Sequence, residues 1–306
     1  MSPLSWLAQL LHVLLMLGAA VLLPGLLRTA RARLEGRRGP DPWQPARDWV
    51  RLLRKQPVMA GNASAVSAVA PYLGFAAVLA AALLVPGFIH GMALTPLADL
   101  VLLAGLLMLA RASAALAALD AGTANGGRAA ARAVAREGFG LPALLLATMG
   151  FAIMAGTTNP DQIGILLQEA VPGPRLALAL LLPALLTVAL ASGGRFSAGA
   201  AVPEASARHL ALWEMQEALR LVVWIALLAG LFLPFGTAAG AAAGPAGWLL
   251  ALVLWCAKLA GLTLLLAAAE ANLARLRDRR LPEVLGAAAL LALLGVAWLF
   301  LSAGVA

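Results

Sequence analysis

The residues in this chain that could do chemistry are ionisable side chains within or at the ends of long apolar runs. They are Asp99, Arg111 and Asp120; Glu214, Glu217 and Arg220; Lys258 and Glu270; and Glu283. A charge in hydrocarbon is costly, so such residues pair with one another or serve a path for ions. Glu217 precedes Arg220 by three residues and can pair with it on one helix face. Glu214 stands one turn before Glu217. Lys258 needs an acid on a neighbouring run, on the segment of Asp99 to Asp120 or that of Glu214 to Arg220. Two chemistries stay open: ion pairs that fix helix packing, or a chain of acids that hands protons along the membrane half.

The elements that must position these groups follow from composition. Hydrophobic residues make up 62% of 306 and charged residues only 12%, against about 25% charged in soluble domains. The chain is therefore an all-α polytopic integral membrane protein, one membrane domain over 1–306. Runs of about 20 apolar residues predict eight spans at 4–27, 66–89, 96–119, 139–157, 174–192, 210–234, 248–270 and 283–304. The run 4–27 is too long for a signal peptide. Lys and Arg alternate sharply between connections. Arg28, Arg31, Arg33, Arg37, Arg38, Arg47, Arg51, Arg54 and Lys55 follow the first run. Arg128, Arg132 and Arg136, then Arg195 and Arg208, then Arg275, Arg277, Arg279 and Arg280 fall in the connections of the same side, against Arg175 on the other. That asymmetry predicts four basic cytoplasmic loops and both termini on the outer side of a bacterial cytoplasmic membrane.

The basic loop 28–65 holds the longest polar stretch, LEGRRGPDPWQPARDWVRLLRK. Its part from Pro45 to Lys55 predicts an amphipathic helix with Trp49, Leu52 and Leu53 on one face. Arg37, Arg38, Gln44, Arg47 and Arg51 then form a surface for a soluble partner, or for anionic lipid head groups. The net charge of +8 is a topology signal and not a nucleic-acid footprint. One Cys, Cys256, and three dispersed His, His12, His90 and His209, offer no metal-ligand spacing, so no cofactor is expected on the chain itself.

Several stretches together resemble the subunit-1 family of respiratory complex I and its hydrogenase relatives. GRRGPDPWQP (36–45) is similar to that family's first cytoplasmic loop, and DAGTANGG (120–127) to the segment after the third span of the hydrogenase-type members. GFAIMAGTTN (150–159) resembles their fourth-span exit, and SARHLALWEMQEALRL (206–221) their Arg-x-Leu-Ala-Leu-x-Glu segment. KLAGLTLLLAAAEANLARLRDRRLPEVLG (258–286) is similar to the penultimate span and the opening of the last. The hydrogenase branch, which includes the membrane subunit of formate hydrogenlyase, fits better than the NADH dehydrogenase branch.

The resemblance implies a membrane subunit that seats a soluble electron-transfer arm on its cytoplasmic loops. It implies [NiFe] and iron–sulfur centres in soluble partner subunits, antiporter-like membrane partners, and carboxylates that lead protons towards them. Arg37, Arg38, Asp120, Arg132, Glu214, Lys258, Glu270 and Glu283 match the family's charged motif positions. The chain also departs from the pattern. Ala133, Leu141 and Ser192 stand where the family carries carboxylates, and the acidic loop after the fifth span is shortened. That loop walls the quinone chamber in quinone-reducing members, so a bound quinone is doubtful here. Coupling then rests on Glu214, Glu217 and Glu270, or the chain is mainly an anchor. An independent secondary transporter is the alternative from another class, against which stands the lack of internal repeats.

Overall fold

The computed structural model describes residues 3–169, 175–192, 205–273 and 281–304. Among these the long elements are all helices, with α1 Pro3–Leu34, α2 Gln44–Leu53, α3 Ala65–Leu84, α4 Leu100–Asp120 and α5 Ala124–Ala155. Then follow α6 Pro160–Glu169, α7 Arg175–Ser192, α8 Ala207–Phe232, α9 Gly244–Leu273 and α10 Leu281–Gly304. Seven of these are long and apolar enough to cross a membrane: α1, α3, α4, α5, α8, α9 and α10. The expected span at 174–192 is α7, Arg175–Ser192.

Local chemistry sets the helix ends. The run expected at 66–89 stops at Leu84, because Pro86 drives Val85 into extended backbone, at φ −69° and ψ 142°. The next helix starts at Leu100 and not near 96, since Asp99 caps it by accepting from the amides of Val101 and Leu102. Thr95–Leu97 forms a separate 3₁₀ turn. The largest departure concerns α5. Arg128, Arg132 and Arg136, expected in a loop, lie on the first four turns of a 32-residue helix capped by Thr123. An alanine-rich segment behind a good cap continues a helix beyond its apolar part. Helix α6 was not expected. Arg195, Arg275, Arg277, Arg279 and Arg280 lie outside the described residues, as does most of the shortened loop, 193–204.

Helix α8 is the axis of the bundle. Of its apolar window 78% is buried, against 33–56% for the other spans, and α1, α2, α3, α6, α7 and α9 all pack on it. The arginine-bearing segments gather at one end. Arg31 of α1 meets Glu270 near the end of α9, Asp120 of α4 meets the start of α3, and Val58 is clamped by the Ser206 hydroxyl at 2.8 and 2.9 Å. At the other end His90 and Thr237, from two connections, are joined to Asp161 of α6. Helix α2 lies against α8 and α1 on a ridge of buried Pro45 and Trp49 with half-buried Leu52. Leu53, expected on that face, is 46% exposed. The segment before α2 folds back onto α1: the Thr29 hydroxyl donates to the Pro40 carbonyl at 2.6 Å. A Cβ at Gly25 would lie 2.0 Å from the Pro42 oxygen.

Candidate functional site

Glu214, Glu217 and Arg220 follow one another at three-residue steps on α8. Three residues turn a helix about 60° short of a full circle, so the row moves round the helix as it descends. Glu214 consequently faces α1 and α2, while Arg220 faces α4 and α5. This drift makes two charged groups, one on each side of the central helix.

The first group lies on the α1 and α2 side. The Trp49 side chain approaches the Glu214 carboxylate, and Arg28, Asp48 and Arg51 act on it electrostatically. Trp49 is thus both the buried anchor of α2 and the partner of an acid in the bundle. Glu270 of α9 is almost wholly buried and takes a hydrogen bond from Arg31 at 3.4 Å. Arg31 also lies 3.7 Å from Glu35.

The second group is a quartet of alternating sign. Arg220, buried to 1% side-chain exposure, pairs with Glu217 on its own helix, as the spacing implied. Glu217 lies 3.8 Å from Arg111 of α4, and Arg111 lies 2.9 Å from Glu137 of α5. The four formal charges sum to zero, as a low-dielectric site requires. A crevice opens beside them, lined by Arg111, Glu137, Leu141, Val188, Arg220 and Trp224. Sequence reasoning missed Glu137 because it matched none of the motif positions used. The available signal was its spacing: Ala133 and Leu141 lie four residues to either side, on the same face of α5.

The other expected site residues fall elsewhere. Asp120 is neither a buried ion pair nor next to the other acids. It accepts from the backbone amides and hydroxyls of Ser64 and Ser67 and so caps α3 from the end of α4. Arg132 is exposed on α5, its guanidinium donating to the Arg128 carbonyl at 3.3 Å. Glu283 is exposed in the first turn of α10, where a carboxylate complements the helix dipole. Lys258 finds no acid on α4 or α8. Its ammonium donates to the carbonyls of Leu233 and Phe235, just past the end of α8, and lies 4.6 Å from the Phe235 ring centre. Carbonyls left open by a finished helix are natural partners for a cation.

The surface expected to dock a partner is solvent-facing. Arg37, Arg38, Gln44, Arg47 and Arg51 are all exposed. Gln44 donates to Asp48 at 3.3 Å, Arg51 lies 3.2 Å from Asp48, and Arg47 pairs with Asp41. The Trp43 amide, with some help from Arg47, holds the Asp41 carboxyl below its ordinary range. Among the described residues no group of three His, Cys, Asp or Glu could hold a metal ion.

Fold and site together define a multi-pass helical membrane protein with charge groups on both sides of its central helix. A model of the NADH dehydrogenase family matches residues 7–303, and the chain belongs to this family, the one typified by subunit 1 of complex I. It is 31% identical to hydrogenase-4 component C of Escherichia coli (strain K12) over 235 residues, 74% of each chain. It is 35% identical to formate hydrogenlyase subunit 4 of the same organism over 159 residues, 52% of each chain. Its fold is like that of a chain in the membrane-bound sulfane sulfur reductase, an archaeal respiratory membrane complex. There the TM-score is 0.77 at 19% identity, over 96% of this chain and 99% of the other.

Proposed function

We propose that this chain is the membrane-anchor subunit of a complex-I-like, hydrogenase-type oxidoreductase in the bacterial cytoplasmic membrane. Its arginine-rich end faces the cytoplasm and seats a soluble arm through Arg37, Arg38, Gln44, Arg47 and Arg51. The iron–sulfur clusters and the [NiFe] centre belong to that arm, and antiporter-like subunits adjoin the chain within the membrane. The observation that carries this reading is the position of α2. Its outer face presents arginines to solvent, and its inner face delivers Trp49 to Glu214 inside the bundle. A partner pressing on α2 therefore touches the acids of the bundle through one side chain. From Glu270 and Arg31, past Arg28 and Glu214, to Glu217, Arg111 and Glu137, the charged groups cross the bundle laterally on both sides of α8. In this reading electron transfer in the arm is coupled to proton or sodium movement along that belt.

The test is isolation of the tagged full chain from its native host in mild detergent, with mass spectrometry and metal analysis. Hydrogenase-like, iron–sulfur and antiporter-like proteins are expected together. Reversing Arg37, Arg38, Arg47 and Arg51 to Glu is expected to release the soluble set and leave the membrane set bound. Recovery of the chain alone, monodisperse and metal-free, overturns the reading and favours an independent transporter.

A further inference from the structure

We infer that Glu137 is the proton-carrying member of the buried quartet and that it acts by exchanging Arg111 with Glu217. The inference rests on the coupling role proposed above and deepens it at one residue.

The four groups are not equivalent. Arg111 and Arg220 keep their charge at any physiological pH. Glu217 is held between two cations, Arg220 on its own helix and Arg111 at 3.8 Å. Glu137 lies 2.9 Å from Arg111 and within electrostatic reach of Arg220, and at 24% side-chain exposure it is the least buried of the four. It also lines the crevice, from which a proton can arrive. When a proton binds the Glu137 carboxylate, its attraction for Arg111 is lost. The guanidinium then turns to Glu217, which it already approaches. The quartet changes from net zero to +1, and releasing the proton restores the first arrangement. Arg111 thus lies between two carboxylates to which it can turn, Glu137 at 2.9 Å and Glu217 at 3.8 Å.

The position on α5 supports the same assignment. Ala133 is buried and Leu141 lines the crevice, so the helix face one turn away on either side carries no titratable group. On that face Glu137 is the one residue that can hold a proton. A carboxylate moved one turn to position 141 would still line the crevice, which gives a rescue that a merely structural acid would not show.

The experiment uses the intact complex in sealed vesicles, reading ion translocation and electron turnover separately. E137Q keeps the shape and removes the proton site. Expected is a fall in translocation of roughly a hundredfold, the low end of what a positioned proton carrier contributes, with assembly retained. E137Q/L141E is expected to recover a large part of the loss, and E137D to retain measurable coupling. Full coupling in E137Q overturns the inference, as does an E137Q/L141E variant that assembles but stays uncoupled. E217Q separates this inference from the wider reading. If E217Q loses coupling while E137Q keeps it, only the role of Glu137 falls. If E137Q, E217Q and E270Q all keep full coupling, the coupling role itself falls. Should E137Q fail to assemble, infrared difference spectra of wild type and E137D decide. A protonated-carboxyl band that shifts in E137D supports the inference, and an unchanged spectrum overturns it.

Discussion

Asp120 shows how far residue type alone carries. An acid at the end of an apolar run in a membrane protein invites a proton path, and its motif match strengthens that view. In three dimensions it is fully occupied as the cap of another helix, with the hydroxyls and amides of Ser64 and Ser67 as donors. We therefore expect D120A to lower the thermal midpoint of the detergent-solubilised protein by a few degrees and D120N by less. Ion coupling per assembled complex should stay unchanged. A loss of coupling at unaltered thermal midpoint would return Asp120 to the proton path. Glu137 is the opposite case, unremarked in the sequence and central in the structure. The difference arises because a carboxylate is defined by what faces it, and the partners of both residues lie on other helices.

At the scale of elements, the helix expected from Pro45 to Lys55 is α2, Gln44–Leu53, with its arginines exposed. The amphipathic helix and its arginine surface were legible from spacing and composition. The buried ridge was not: Leu53 turns out to face solvent, and Pro45, Trp49 and Leu52 form the contact. A ten-residue helix with several apolar positions can seat in more than one rotation, and the groove between α1 and α8 selects one. The return of the chain onto α1 depends on Gly25, where an added Cβ would meet the Pro42 oxygen at 2.0 Å. G25A should push the loop off α1, loosen α2 and speed tryptic cleavage at Arg47 and Arg51 several-fold. G18A is the matched control on the same helix, since nothing lies within 4 Å of a Cβ there. Alanine for glycine in a helix is otherwise favourable by about 1 kcal/mol. Equal cleavage rates in the two variants would remove Gly25 from the account.

At the scale of the whole molecule, charge neutrality of the quartet is what allows α4, α5 and α8 to meet around it. Removing one member leaves its neighbour buried without compensation, at a cost of roughly 3–5 kcal/mol. Thermal unfolding of R111M should show a loss of that order, while R111M/E137Q should recover a substantial part of it. A double variant no more stable than R111M would mean the two side chains do not share an interaction. Lys258 belongs to the same scale. The sequence demanded a partner for a lysine within an apolar helix, and the fold supplied backbone carbonyls at the end of α8 in place of an acid.

Hydrophobic runs, charge alternation and motif order determined by themselves that this is a multi-pass helical membrane protein of its family. Those properties depend on the cost of each residue in lipid or water, which is local. Pro86, Asp99 and Thr123 set helix ends that the apolar runs placed elsewhere, because a cap is a local polar contact that hydropathy does not register. Only the tertiary structure decided which acids have partners: that Glu217 joins Arg111 and Glu137, that Glu214 sits under Trp49, and that Asp120 is a cap. The physical reason is that each of these contacts joins residues far apart in sequence, brought within a few ångströms by the packing of helix on helix.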